Sequence, residues 1–194
     1  MLYEKYKNLN QVGLDNSFIT MCNYGHLDDI KFLLTSPQLS LHANIEVNDG
    51  AGLAYACMNN HIDIVKYLLT SPDLNKHADI HANDDYPLYC VVNNDYFDLF
   101  KYLLSSPELK EHANIHARNA DIFKVICFDQ LVDMVNYLIF DYKIEMTQDI
   151  NKYLTEKDTD FNRQVKAMFP VRDLTNALEN ELASDILIKK RIKL

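Results

Sequence analysis

The sequence predicts an all-α helical repeat solenoid with a C-terminal helical cap. Three observations carry that prediction. The first is a gapless internal repeat: Leu69 to Ala82 reads LTSPDLNKHADIHA, and Leu104 to Ala117, 35 residues later, reads LSSPELKEHANIHA, agreeing at nine of fourteen positions. One period earlier, Leu34 to Val47 reads LTSPQLSLHANIEV. The second is helical spacing: from His61 to Leu69 the apolar residues recur at i, i+3, i+4 and i+7. The third is size. A helix pair this short cannot bury its apolar face alone, so the units must stack and share one core.

The elements follow in order. Residues 1–15 hold Leu2, Tyr3, Tyr6 and Leu9, and are expected to form a short N-terminal cap over the first unit. Four units are then expected from residue 16 to residue 145. Their register is set by four columns: Phe18, Leu53, Leu88 and Phe123; Ile30, Val65, Phe100 and Val135; Phe32, Tyr67, Tyr102 and Tyr137; and Leu33, Leu68, Leu103 and Leu138. Each unit reads as two helices. The first is short, such as Leu53 to Asn59 or Leu88 to Asn94. The joint carries Gly25, Asn60 or Asp95, residues suited to a turn. The second helix opens with Asp28, Asp63, Asp98 or Asp133 in its first turn, where a negative charge meets the positive end of the helix dipole. Lys31, Lys66 and Lys101 lie three residues on, within reach of those acids. Ser-Pro at 36–37, 71–72 and 106–107 ends the helix, because the residue before proline avoids the helical region.

After Phe140 the pattern degenerates. Thr147 is expected to cap a helix from Gln148 to Leu154. Asp158 or Thr159 is expected to cap another through Met168, and Pro170 to open a third from Val171 to about Ser184. Residues 146–185 therefore read as a worn fifth unit with a closing helix, and 186–194 as a basic tail with Lys189, Lys190, Arg191 and Lys193.

These residues resemble the ankyrin-repeat family. Gly25-His26-Leu27-Asp28-Asp29-Ile30-Lys31-Phe32-Leu33-Leu34 is similar to that family's second-helix opening, and His61 to Leu69 is similar with Asn60 in place of glycine. His77-Ala78-Asp79-Ile80-His81-Ala82 resembles the segment leading to the next unit. The family's Thr-Pro-Leu-His survives only as Pro87-Leu88, and its period of about 33 residues becomes 35 here. The family's projecting β-hairpin fingers are accordingly expected to be blunt. The resemblance implies a non-catalytic module that binds a protein partner on its concave face, with no cofactor. By register, the candidates on the first helices are Tyr24, Met58, Asn59, Asn93 and Asn94; those from the connectors are Asn48, Asp49, Asn83, Asp84, Asp85, Tyr86, Arg118 and Asn119.

Composition narrows the partner. Nineteen basic against twenty-eight acidic residues give a net charge of -9, which argues against nucleic acid because phosphates would be repelled. Only four glycines are present, which disfavours Gly-rich phosphate loops. No apolar stretch is long enough to span a membrane, and the charged N-terminus does not read as a signal peptide. The expectation is a cytoplasmic monomer, or an exported effector acting in a host cell. The thiols Cys22, Cys57, Cys90 and Cys127 are widely spaced in apolar stretches, which fits reduced core cysteines.

Other chemistry is weaker. His77 and His81, like His112 and His116, are four apart, a spacing that holds zinc on a helix. They fall in connectors and recur in register, which points to hydrogen bonding. The acids Asp28-Asp29 and Asp84-Asp85 read as solvated surface turns rather than an acid–base pair. Two other functions compete: an inhibitor whose acidity mimics nucleic acid, and an enzyme with its site in residues 141–194. The acids are spread through every unit rather than clustered. The C-terminal segment holds no Cys, no His and only Ser184.

Overall fold

The computed structural model describes the backbone of residues 2–192 and the side chains of residues 2–118 and 121–180. The chain forms two compact units, with the boundary between Val125 and Ile126. Among the described residues there is no strand, and no helix is long and apolar enough to cross a membrane.

The first unit opens with α1 (Leu2–Tyr6) and α2 (Gln11–Tyr24). The first repeat thus starts at Gln11, earlier than residue 16, because Asn10 caps α2 by accepting from Gly13 N–H. There follow α3 (Leu27–Thr35), α4 (Val47–Met58), α5 (Ile62–Thr70), α6 (Ala82–Asn93), α7 (Phe97–Ser105) and α8 (Ala117–Phe128), the last running across the boundary. Helix α4 packs on α2 and on α6, forming an inner row. Helices α3, α5 and α7 each fold back on their own inner helix. α1 packs on α3, with Tyr6 buried, its ring 6.1 Å from Phe32 and its hydroxyl donating to Asp29.

Each joint is a left-handed residue. Gly25, Asn60 and Asp95 have φ of +81°, +56° and +56°. The next residue then donates back into the first helix, as from His26 N–H to Met21 O at 3.0 Å and from His61 N–H to Ala56 O at 2.9 Å. At the other end, Ser36, Ser71 and Ser106 stop the second helices. Their carbonyls contact Nε2 of His42, His77 and His112, each at 2.9 Å. Ala43, Ala78 and Ala113 donate to Leu33, Leu68 and Leu103. The repeated Ser-Pro-x-Leu stretch is therefore a closed, hydrogen-bonded turn, and its histidine locks it.

The core is the set of columns. Phe18, Leu53, Leu88 and Phe123 are fully buried, as are Ile30, Val65, Phe100, Leu33, Leu68 and Leu103. Tyr67 and Tyr102 are buried; Phe32 is half-buried. Of the three expected Asp–Lys pairs, Lys101 meets Asp98 at 3.2 Å. Lys31 and Lys66 instead reach to the following repeat and lie over the rings of Tyr67 and Tyr102, at 5.6 and 5.0 Å. A ring face offers a place where the aliphatic stem is also covered, which a solvated aspartate does not.

The connectors hold the largest departure. In place of β-hairpin fingers, the chain makes a three-residue left-handed turn before the right-handed parts of α4 and α6. Asn48, Asp49 and Gly50 have φ of +51°, +53° and +79°, and Asn83, Asp84 and Asp85 have +50°, +57° and +56°. Arg118 repeats the sign at +56°. Asn, Asp and Gly are the residues that tolerate this region at least cost. Pro87 then falls in the first right-handed turn of α6, where its missing N–H removes no helical bond.

The second unit contains α9 (Val132–Asn136), which runs into a π-helical turn at Tyr137–Asp141, then α10 (Gln148–Glu156) and α11 (Asp160–Ile192). The π turn is closed by Tyr142 N–H donating to Tyr137 O at 2.8 Å. The return to the column leucine is then shorter than in the earlier repeats: Ile144, six residues on, donates to Leu138 O at 2.8 Å, where Ala113 donates to Leu103 from ten residues on. Thr147 caps α10 through Ile150 N–H, and Thr159 caps α11 through Asn162 N–H. The expected break at Pro170 is absent: α11 runs through it as one helix. The chain at this point has no turn residue beside the proline, and Phe169 and Val165 remain buried on one face. Side chains of the basic tail lie outside the described residues.

Candidate protein-binding face

A right-handed helix repeats its surface every three to four residues. On α4 this places Ala51, Ala54, Tyr55 and Met58 on one side. The left-handed turn ahead of α4 brings Asn48 and Asp49 to the same side, and the next turn adds Asn83 and Tyr86. Together these eight residues line an open groove between the second and third repeats. Its floor is apolar: Ala54 is buried and Met58 half-buried, while Tyr55 is 38% exposed.

Beside the groove, Tyr86 and Tyr89 stack with centroids 5.9 Å apart and planes 15° from parallel. The Arg118 guanidinium sits 5.8 and 5.5 Å from the two rings. Arg118 Nη1 donates to Asn83 O at 3.2 Å, and Arg118 N–H donates to Asp84 at 3.1 Å. The aromatic pair is thus held from the fourth repeat. The neighbouring Cys90 thiol raises the Tyr86 phenol above its usual range, and burial raises Cys90. Both remain neutral near pH 7.

Five of the sequence-predicted residues meet in this groove: Asn48, Asp49, Met58, Asn83 and Tyr86. Tyr24, Asn59, Asn93 and Asn94 lie exposed at the far ends of the inner helices and do not line it. Asn59 donates to Asn23 Oδ1 at 3.1 Å, and Asn94 to Cys90 O at 2.8 Å, so both finish helices. The Asn119 side chain lies outside the described residues.

Asp85 requires a correction. It is 4% exposed and turned inward. One carboxylate oxygen accepts from Asn114 N–H at 2.7 Å and meets His81 Nδ1 at 3.0 Å. It ties the third repeat to the fourth and has no free face for a partner. Sequence reasoning also missed Ala51, Ala54, Tyr55 and Tyr89. The signal was present, since Tyr55 stands one helical turn before Met58.

Most of the histidines, and all four thiols, have structural places. His77 holds Ser71 O and His81 holds Asp85. All four thiols are buried and unpaired; burial pushes Cys127 up to about 12 and raises Cys22 and Cys57 well above the ordinary thiol range.

A comparison with protein-family profiles matches ankyrin repeats in three copies, over residues 18–119 and again over 53–165. The chain belongs to the ankyrin-repeat family, whose repeats are in general protein–protein interaction modules. No curated protein and no solved structure matches it.

Proposed function

We propose that this chain is a non-catalytic adaptor that binds a protein partner with the inner-helix face of its first unit. One observation carries the reading. The Tyr55–Met58–Tyr86 groove, with its Tyr86–Tyr89–Arg118 stack, concentrates aromatic and arginine side chains on one face, the residue types that dominate binding energy at interfaces. The groove is open along the repeat rather than enclosed, which suits a peptide segment better than a small-molecule substrate. A non-catalytic role is further supported by the chemistry already assigned: the thiols are protonated and buried, His42, His77 and His112 are engaged with backbone carbonyls, and His81 with Asp85. Unpaired thiols suit a reducing compartment such as cytoplasm. Residues 146–185 serve as a worn fifth repeat and closing helix, with α10 packed on α11.

The test pairs affinity capture with a groove variant. A partner captured by the wild type is expected to be lost from Tyr55→Ala combined with Tyr86→Ala, with the melting temperature little changed. Equal capture by the variant rules out this face.

A further inference from the structure

We infer that the groove takes a basic anchor: a lysine or arginine side chain of a peptide, laid between Tyr55 and Tyr86 with its charge on Asp49. The inference rests on the proposed binding face and names what that face recognises.

The carboxylates around the connectors are not equivalent. Glu46 is paired with Lys76. Asp79 accepts from His81 N–H at 2.8 Å, and Asp84 from Arg118 N–H at 3.1 Å. Asp85 is buried on His81 and Asn114. Asp49 alone of this group has no hydrogen-bond or ion-pair partner among the described residues. It is exposed, it lines the groove, and its left-handed backbone (φ +53°) fixes it at the rim. Two nearby cations are already engaged: Lys76 on Glu46, and Arg118, which is stacked on Tyr86 and Tyr89 and donates to Asn83 O.

Such a site has three requirements of its occupant. The floor of Ala51, Ala54 and Met58 favours an aliphatic stem. Tyr55 and Tyr86 line the groove, and a tyrosine ring favours a cation over an anion on its face, because the ring quadrupole is negative there. The unpaired carboxylate at the end of the groove favours a positive head group. A lysine or arginine side chain meets all three, since its methylenes are apolar and its charge is terminal. An apolar side chain would leave Asp49 beside a dry wall, and an acidic one would be repelled. The net charge of -9 draws a basic segment toward this face and speeds its encounter.

The test is selection of phage-displayed random dodecapeptides on the full chain, followed by titration of the synthetic winners. The expected winners share a lysine or arginine beside an apolar residue. Their affinity should fall at least about tenfold on Asp49→Asn and on Tyr55→Ala, as for loss of an anchor contact, and should weaken as salt is raised. Asparagine tolerates the left-handed turn, so Asp49→Asn retains the fold, and thermal melts of both variants check this. Winners without a cation that still depend on Tyr55 and Tyr86 overturn the basic anchor and leave the binding face standing. Winners indifferent to every groove variant, or no enrichment at all, overturn both.

Discussion

Asp85 and Gly50 occupy the same place in successive repeats and solve it in opposite ways. Asp85 fills the space between repeats with a carboxylate that Asn114 N–H and His81 need. Asp15, two periods earlier, accepts from Asn44 N–H at 2.7 Å in the same manner. Gly50 stands between them without a side chain, and a Cβ there would come within 2.6 Å of Ala82 Cβ. The backbone there is also left-handed, at φ +79°. Two outcomes follow for urea melts. Asp85→Ala should cost about 1–3 kcal/mol, the range for a buried donor left without its acceptor. Gly50→Ala should cost at least about 1 kcal/mol, from strain at positive φ with no room to relax. Asn48→Ala, exposed and in the same turn as Gly50, should cost less than either. If Asp85→Ala melts like the wild type, the carboxylate is not what ties the third repeat to the fourth. This role was hidden in the sequence because Asn83, Asp84 and Asp85 are three similar turn residues. Only the left-handed turn decides which of them points inward. The 70-residue spacing of Asp15 and Asp85 was the one available clue.

The elements themselves were legible, because a repeated helix pair writes its core in columns. Leu33, Leu68 and Leu103 recur at 35 residues and are fully buried. The cap at Thr147 was equally readable, and Thr159 was one of two candidates for the next, since a cap follows from one hydroxyl or carboxylate and the orphan N–H groups behind it. What the sequence did not disclose was backbone of unusual handedness or pitch. The left-handed connectors look like ordinary polar turns, and the π turn at Tyr137–Asp141 looks like decay of the repeat. The groove was half legible: its connector residues were found by register, while Tyr55 and Tyr89 were hidden within helices whose exposed rows depend on the exact starting residue. The columns make a direct prediction. Leu68→Ala should cost about 2–5 kcal/mol, as for other fully buried leucines. Leu33→Ala should fall in the same range, because Tyr6 and α1 cover α3 and the end of the stack is sealed. A cost under about 1 kcal/mol at Leu33 in chemical denaturation would show that α1 does not close that end.

At the scale of the whole molecule, one thiol is buried in each repeat, and together they set how the chain responds to alkali. Burial raises Cys22, Cys57 and Cys90, and pushes Cys127 up to about 12. In the unfolded chain all four would ionise near 8.5. The sign follows from proton counting: above that pH the unfolded state has lost thiol protons that the folded state retains. Stability is therefore fully present below about pH 8.5 and declines as pH rises through 9 and 10. Each fully buried thiol should contribute about 1 kcal/mol of loss by pH 9.5. Tyr67 and Tyr102, also raised by burial, extend the decline above pH 10. Guanidinium melts at pH 7.5, 8.5 and 9.5 in the presence of a reductant should show the midpoint falling in this window. Cys57→Ala replaces a fully buried thiol with a small side chain that cannot ionise. It should lower stability at pH 7.5, and the curve from pH 7.5 to 9.5 should be shallower by about 1 kcal/mol. Thiol reagents in native buffer at pH 7.5 should label all four positions slowly, since each must open before it reacts. A stability profile that is flat to pH 10, or prompt labelling of Cys57, would mean that the inner helices do not enclose their thiols, and the packing of α4 between α2 and α6 would have to be redrawn.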